Sequence, residues 1–189
     1  MSLRQTIEGS ARLHAEILKN EEFLAQCERA GRVLEKALRN EHKVLVAGNG
    51  GSAADAQHFA AEFVATFGRE KRNGYPVLAL TTDTSFLTAW ANDFGYEDVF
   101  ARQVETWGKE GDVFLGISTS GNSQNVLRAA GAAKRRRLPV IGLLGGSGSA
   151  LEEQCDVAVV VPSAVTARIQ EVHALVLHAW CEEIVPHLP

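Results

Sequence analysis

Residues 43–55 read KVLVAGNGGSAAD, and this stretch decides the fold. The run from Lys43 to Ala47 is short and apolar, and a loop of glycine, asparagine and serine follows it at once. Alanines after the loop begin a helix-compatible segment. A buried apolar run that ends in a glycine-rich loop before a helix is typical of a parallel strand that leads into a crossover helix. The stretch therefore predicts a strand, a loop and a helix in that order.

The same pattern recurs four times towards the C-terminus. Further apolar runs that end in Gly, Ser, Thr or Asp loops occupy Val77–Leu80, Asp112–Ile117, Val140–Leu144 and Val157–Val161. Strands that are apolar on both faces and alternate with helices form a parallel sheet covered on each side. The first 40 residues contain no such run, and apolar residues recur there at helical spacing. We predict a single α/β domain, residues 1–189, with a parallel sheet sandwiched by helices and an N-terminal helical arm, residues 1–40.

The composition excludes several classes of protein. Of 189 residues, 46% are hydrophobic and 22% charged, which is enough apolar material for a core. The net charge of −4 disfavours a nucleic-acid binder, which normally carries a basic excess. No signal segment and no run of about 18 apolar residues is present, so we expect no membrane partner. Three widely spaced cysteines without a CxxC motif disfavour disulfides, and we expect a cytoplasmic protein.

Two loops at predicted strand ends have anion-binding character. In open α/β sheets, ligands bind beyond the carboxyl ends of the strands. Residues 48–55 offer backbone amides and a helix N-terminus to an anion, and they also fit a weak dinucleotide fingerprint, with Asp83 as the ribose acid. Residues 118–123 read STSGNS, and their four hydroxyls suit the oxygens of a terminal phosphate. Turn formation and helix capping are the structural alternative for both loops.

Candidate acid, base and metal-binding residues lie on two predicted helices. His58 and Glu62, spaced i and i+4, share one face and suit either metal binding or an ordinary ion pair. The last helix carries Gln170, Glu171, His173 and His178, and their spacing alone does not select among them. Asn92–Asp93 suits sugar hydroxyls or a turn.

Four segments carry a family resemblance: AGNGGSAADAQH at 47–58, NDFGY at 92–96, GISTSGNS at 116–123 and RIQEVH at 168–173. Together they resemble the sugar isomerase (SIS) domain family, and within it the phosphoheptose isomerases, over nearly the whole chain. The resemblance implies a flavodoxin-like fold and a homotetramer with active sites shared between subunits. The arm could cover its own domain or pack against another subunit, and the resemblance favours the second. It also implies interconversion of sedoheptulose 7-phosphate and D-glycero-D-manno-heptose 7-phosphate through an enediol, the first step of nucleotide-activated heptose synthesis.

The resemblance also implies roles for individual residues. It assigns substrate contacts to Asn49, Gly50, Gly51, Ser52, Glu62, Asn92, Asp93 and Gln170, and phosphate contacts to Ser118, Thr119, Ser120 and Ser123. It assigns one zinc ion per subunit to His58, Glu62, Gln170 and His178, selecting His178 over His173. Gln170 and His178 are not in line on one helix, which is compatible with ligands from different subunits. On this basis we expect Glu62 to be the base at the carbon and His178 the proton shuttle.

Two other functions stay open at this point. A protein of this fold that associates with the replication initiator DnaA resembles the isomerases through the same loops, but its positions matching Glu62 and His178 hold no acid or base. A non-catalytic phosphosugar-binding regulator is therefore the alternative, and a dinucleotide oxidoreductase is the third possibility. Residues 66–73 depart from the family pattern, which leaves substrate contact by Arg69 or Arg72 open.

Overall fold

The computed structural model describes residues 2–65, 67–68, 72–146 and 148–188. Its helices and strands, in chain order, are α1 (Leu3–Ile17), α2 (Glu21–Arg39), β1 (Val44–Gly48), α3 (Gly51–Val64), β2 (Val77–Ala79), α4 (Thr84–Phe94), α5 (Val99–Trp107), β3 (Val113–Ser118), α6 (Gln124–Arg135), β4 (Val140–Gly145), β5 (Val157–Val161) and α7 (Thr166–Ile184). Each predicted strand is present, with ends that differ by at most one residue. No helix in these ranges is both long enough and apolar enough to cross a membrane.

The five strands form one parallel sheet in the order β2-β1-β3-β4-β5. The chain moves outward from β1 in one direction and from β3 in the other, which is the strand order of flavodoxin-like proteins. Gly48 at the end of β1 pairs with Ile117 near the end of β3. The two glycine- and serine-rich loops therefore border the same crevice, where ligands bind in such folds.

Two helical layers bury the two faces of the sheet. Successive side chains of a strand point to opposite faces, and Val44 and Val46 accordingly pack with α1, α2, α3 and α7, while Leu45 and Ala47 pack with α5 and α6. Full burial of one such side chain contributes about 1.5–3 kcal/mol. Both faces are apolar because both are covered, which confirms the predicted α/β sandwich.

The two N-terminal helices differ in how closely they pack against the rest of the domain. Helix α2 lies against β5 and α7 and buries Leu34 completely, so it covers its own sheet. Helix α1 is held more loosely: Arg168 of α7 donates to the Thr6 carbonyl, while Leu3 and Ile7 are exposed. The predicted arm is thus two helices of which α2 is part of the core, and only α1 offers an uncovered apolar face.

Candidate active site

Helices α3 and α7 bring three titratable side chains together. They run side by side in the same direction, since Gly51 at the start of α3 lies against Gln170 and His58 lies against His178. His58 Nε2 is 3.1 Å from Glu62 Oε1 and 3.4 Å from His178 Nε2. The predicted i, i+4 pair of α3 therefore meets a third side chain that lies 120 residues away in the sequence.

The donor set of this cluster fits a zinc ion. One ligand atom from each of His58, Glu62 and His178 lies within 4.8 Å of the others. Zinc bonds of 2.0–2.2 Å in a tetrahedron separate ligand atoms by about 3.3–3.6 Å, close to the separations seen here. Two imidazole nitrogens that face each other and a carboxylate are a donor set that a divalent cation would hold together. An ordinary ion pair explains only His58 and Glu62.

Gln170 lies at the other end of the α3–α7 contact. Its amide nitrogen is 2.3 Å from the position that a Cβ on Gly51 would occupy, so the side chain rests directly on the glycine of the first loop. Eight residues separate Gln170 from His178, which is about 12 Å along a helix axis. Within one chain Gln170 therefore lies beside the first loop and not beside the cluster, and both its substrate contact and its role as a zinc ligand, which needs a second copy, stay predictions.

A small cavity lies beside the cluster. Two of the residues that line it, Asp55 and Cys181, were not singled out by the sequence analysis. Asp55 Oδ2 is buried without a hydrogen-bond partner among the described residues. Burial raises the pKa of Asp55, and the neighbouring His58 charge partly lowers it. Burial, and then the Glu62 charge, raise the pKa of Cys181 to about 12, so this thiol stays protonated. The signal for Asp55 was its spacing, three residues before His58 on the same helix face.

The second loop, residues 118–123, connects β3 to α6. Ser118 Oγ is buried, lies 3.3 Å from Ser123 Oγ and accepts the Gly121 amide at 3.1 Å. Ser120 is exposed, its hydroxyl accepting the Asn122 amide at 3.3 Å. Thr119 is half-buried, and Ser123 begins α6 without a side-chain cap hydrogen bond. The loop therefore combines inward and outward hydroxyls with a helix N-terminus, as phosphate binding requires.

The first loop, residues 48–52, is joined to the second across the crevice. Asn49 exchanges two amide hydrogen bonds of 2.8 Å with the buried Asn125, and its carbonyl oxygen also accepts from Tyr96 Oη at 3.2 Å. Gly50 has a φ of +55° and Ser52 is buried. Asn125 and Tyr96 were not predicted, because a single asparagine and a single tyrosine have no distinctive spacing. Asn125 ties the first loop to the start of α6, which follows the second loop, and Tyr96 ties the first loop to the turn after α4.

The remaining predicted residues fall in three places. Asn92 and Asp93 are exposed on the last turn of α4, where Asn92 donates to Asp93 at 2.8 Å. Arg69 lies outside the described residues. Arg72 turns towards the end of α3 and donates to main-chain carbonyls there.

His173 and His178 have different environments, although they are five residues apart on α7. His173 is fully buried, and its Nε2 lies 3.1 Å from the Leu144 carbonyl oxygen at the end of β4. Burial lowers the pKa of His173 to about 4, against a partial rise from that carbonyl. His173 is therefore a neutral core histidine, and His178 is the one that faces the cluster.

Comparison with known proteins identifies the family of the chain. The SIS domain family model matches residues 5–145. Phosphoheptose isomerase 2 of Campylobacter jejuni is 53% identical over 166 residues, which cover 88% of this chain and 82% of that protein. The phosphoheptose isomerase of Sulfurimonas denitrificans is 46% identical over 182 residues, covering 96% and 93%. The solved structure of the phosphoheptose isomerase from Neisseria gonorrhoeae matches with a TM-score of 0.89 at 42% identity, covering 98% of this chain and 100% of that one.

The parallel sheet and its covering helices agree with these matches. The family model covers well over half of the chain. The two relatives share far more sequence identity with this chain than a common fold alone requires. The chain therefore belongs to the SIS domain family and, within it, to the phosphoheptose isomerases.

Proposed function

We propose that this protein interconverts sedoheptulose 7-phosphate and D-glycero-D-manno-heptose 7-phosphate. The observation that carries the proposal is the cluster of His58, Glu62 and His178, which lies on two helices, of which α3 begins at the first loop. An aldose–ketose isomerisation moves a proton between C1 and C2 and needs a base at carbon and an acid or electrophile at the carbonyl oxygen. The relatives that match this chain over most of its length carry the same activity in their names.

Glu62 and His178 are suited to the two proton transfers. Glu62 is half-buried on α3, where its carboxylate is held by His58, and it takes the proton from carbon to form the enediol. His178 lies on the opposite helix and moves the proton of the oxygens, including that of ring opening. Because Glu62 and His178 lie on different rigid helices, Glu62 can act on the carbon while His178 acts on the oxygen bonded to it.

The sugar phosphate is bound by the loops. Ser118, Thr119, Ser120 and Ser123 hold the phosphate, and its binding energy positions the reacting end of the sugar. Gln170, resting on Gly51, faces the sugar from α7. Asn49, Gly50, Ser52, Asn92 and Asp93 complete the proposed substrate contacts.

We also propose one zinc ion per subunit. His58, Glu62 and His178 would hold it, with Gln170 of a second copy as the fourth ligand. Bound there, zinc would polarise the carbonyl or orient the open-chain sugar. The amide oxygen of glutamine is a weak donor for zinc, so incomplete occupancy is expected.

A homotetramer with shared active sites is part of the same proposal. Helix α4 buries none of its residues although it carries three aromatic side chains, and Phe94 is 66% exposed. Leu3 of α1 is 76% exposed. A second copy would cover these apolar side chains, and the proposed fourth zinc ligand also requires one. We propose a cytoplasmic location, which suits a protein whose three cysteines are all free.

The regulatory alternative is less well supported. A non-catalytic phosphosugar-binding protein needs the loops but has no use for Glu62 opposite His178. A dinucleotide oxidoreductase has no use for the serine loop at the end of β3.

Proton NMR of sedoheptulose 7-phosphate in D2O tests the proposal directly. The protein is assayed after chelation and again after zinc is restored. We expect the aldoheptose to appear with deuterium at C2, and to appear faster with zinc. Phosphosugar binding without conversion under both conditions would favour the regulator, and nicotinamide or flavin absorbance in the purified protein would favour the oxidoreductase.

A further inference from the structure

The proposed catalytic base lies at the end of a helix. Glu62 is in the last turn of α3, which ends at Val64. The last four carbonyls of a helix have no partner within it, and helix ends fray unless other groups satisfy them. Helix α3 has no basic residue in its own last turn, and the backbone leaves the helix abruptly at Ala65, with φ −88° and ψ −98°. The carbonyls of the last turn, including that of Glu62, therefore need partners from outside the helix.

Arg72 supplies that support from the following segment. Its Nη2 donates to the Glu62 carbonyl oxygen at 2.5 Å, and its Nη1 donates to the Phe63 carbonyl oxygen at 2.9 Å and to the Asn73 carbonyl oxygen at 2.7 Å. The planar guanidinium thus joins two consecutive carbonyls of the last turn of α3 to the chain that returns to β2. A lysine, with its single ammonium, cannot reproduce this fork.

The surrounding residues hold Arg72 in this position. The guanidinium carbon lies 5.1 Å from the centre of the Tyr75 ring, and the Tyr75 amide donates to the Phe63 carbonyl oxygen at 3.0 Å. A Cβ on Gly74 would lie 2.7 Å from the Val64 carbonyl oxygen, so only glycine permits this close return of the chain. Arg72 is therefore one part of a folded cap on α3.

The charge of Arg72 is close to the proposed active site. The pKa of the Cys181 thiol, which lines the cavity beside the cluster, is raised first by burial and then by the Glu62 charge, and the Arg72 charge lowers it in part. Both charges thus act at the same end of the α3–α7 contact. A cation at the C-terminus of a helix is also favourable for the helix dipole.

We propose that Arg72 is a positioning residue for the isomerisation: by capping the last turn of α3 it holds the Glu62 carboxylate towards His58 and His178. Arg72 itself does not touch the substrate. The proposal rests on the proposed function, in which Glu62 is the base, and it gives a role to a segment that departs from the family pattern.

The experiment compares R72Q and R72K with wild type. We expect R72Q to lower kcat by about 100-fold, as a displacement of about 1 Å can, while KM for sedoheptulose 7-phosphate stays within about twofold. R72K should lie between wild type and R72Q. The variant R72A, assayed with added guanidinium chloride below denaturing concentrations, should recover part of the lost kcat. If Arg72 were needed only for folding, its replacement would not lower kcat at a nearly unchanged KM, and guanidinium would not restore kcat.

The matched control is R39Q. Arg39 ends α2, donates to the His187 carbonyl oxygen at 3.0 Å and belongs to no proposed site, so R39Q should keep the kcat of wild type. Thermal unfolding of each variant normalises kcat for the folded fraction. Zinc affinity, measured by competition with a chelating dye, is the readout that does not depend on turnover, and R72Q should bind zinc about tenfold more weakly because Glu62 is displaced.

The outcomes separate the two proposals. Turnover in R72Q within twofold of wild type, a loss that follows the folded fraction, or an equal loss in R39Q would overturn the role of Arg72 and leave the isomerase intact. Wild-type protein without turnover would overturn the proposed function, and the zinc affinity of R72Q would then decide whether Arg72 positions Glu62. Equal zinc affinities in that case, or no zinc binding by wild type, would overturn the positioning role as well.

Discussion

The α3–α7 cluster and the serine loop at residues 118–123 are both polar, but they are built in opposite ways. The loop satisfies its own groups locally: Ser118 bonds Ser123 and the Gly121 amide, and Ser120 bonds the Asn122 amide. The cluster joins groups from distant parts of the chain, with the nitrogens of two histidines facing each other and Asp55 Oδ2 without a partner among the described residues. The hydroxyls of the loop already have partners within the loop, whereas the groups around the cluster are not all satisfied by protein partners among the described residues.

The largest expected effect is on catalysis by the cluster. Glu62→Gln should lower kcat by about 1,000-fold, because general base catalysis contributes about 10²–10⁴-fold, while binding of the sugar phosphate to the serine loop survives. Steady-state rates and calorimetric titration with sedoheptulose 7-phosphate measure the two effects. Glu28→Gln is the control, since Glu28 forms an i, i+4 pair with Arg32 away from the site. If Glu62→Gln kept turnover close to that of wild type, Glu62 would not be the base, and the distinction between a catalytic cluster and a binding loop would fail.

The second prediction concerns the neutral histidine behind the cluster. The pKa of His173 is about 4 in the folded protein and about 6.5 in an unfolded chain. Between these pH values the unfolded chain binds a proton that the folded protein excludes. The stability that neutral His173 contributes to the folded protein is therefore complete above about pH 6.5. It falls by about 3 kcal/mol as the pH drops to about 4. Urea unfolding across this range should show a shallower pH dependence in His173→Gln than in wild type. Equal slopes would contradict the buried neutral state.

Zinc should stabilise the protein only through the cluster. At a free concentration of 100 times its Kd, a ligand bound only by the folded state adds about 2.7 kcal/mol. We expect zinc to raise the Tm of wild type and to leave the Tm of His178→Gln nearly unchanged. His14→Gln, on α1, is the control and should respond as wild type does. A zinc response preserved in His178→Gln would place the metal elsewhere.

The smallest effect should come from one hydroxyl of the loop. Ser120→Ala should raise KM about tenfold with kcat within about twofold, because a hydrogen bond to a charged group contributes about 1.5–3 kcal/mol and neighbouring hydroxyls retain part of the binding. Ser163→Ala removes a similar bond to a main-chain amide outside the site and should leave KM unchanged. A fall in kcat without a change in KM would instead make Ser120 part of the catalytic machinery.

Much of the fold was readable from local pattern. The strands are short apolar runs bounded by glycine and hydroxyl residues, and their ends were predicted to within one residue. Because each strand is covered on both faces, it appears in the sequence as a nearly continuous apolar run, and that run marks where the strand begins and ends. The i, i+4 relation of His58 and Glu62 followed equally from helix geometry. These features depend only on residues close in the sequence.

The sequence by itself therefore determined the order of strands and helices along the chain, the positions of the two glycine- and serine-rich loops at strand ends, and the family to which the chain belongs. The tertiary structure places His178 against α3, as the family resemblance implied. Only the tertiary structure decided that Asn125 and Tyr96 bond Asn49 of the first loop, and that Arg72 caps the helix of Glu62. The reason is physical. Local patterns fix backbone conformation, whereas the rotation and register of one helix against another are set by packing between side chains that are far apart in the chain.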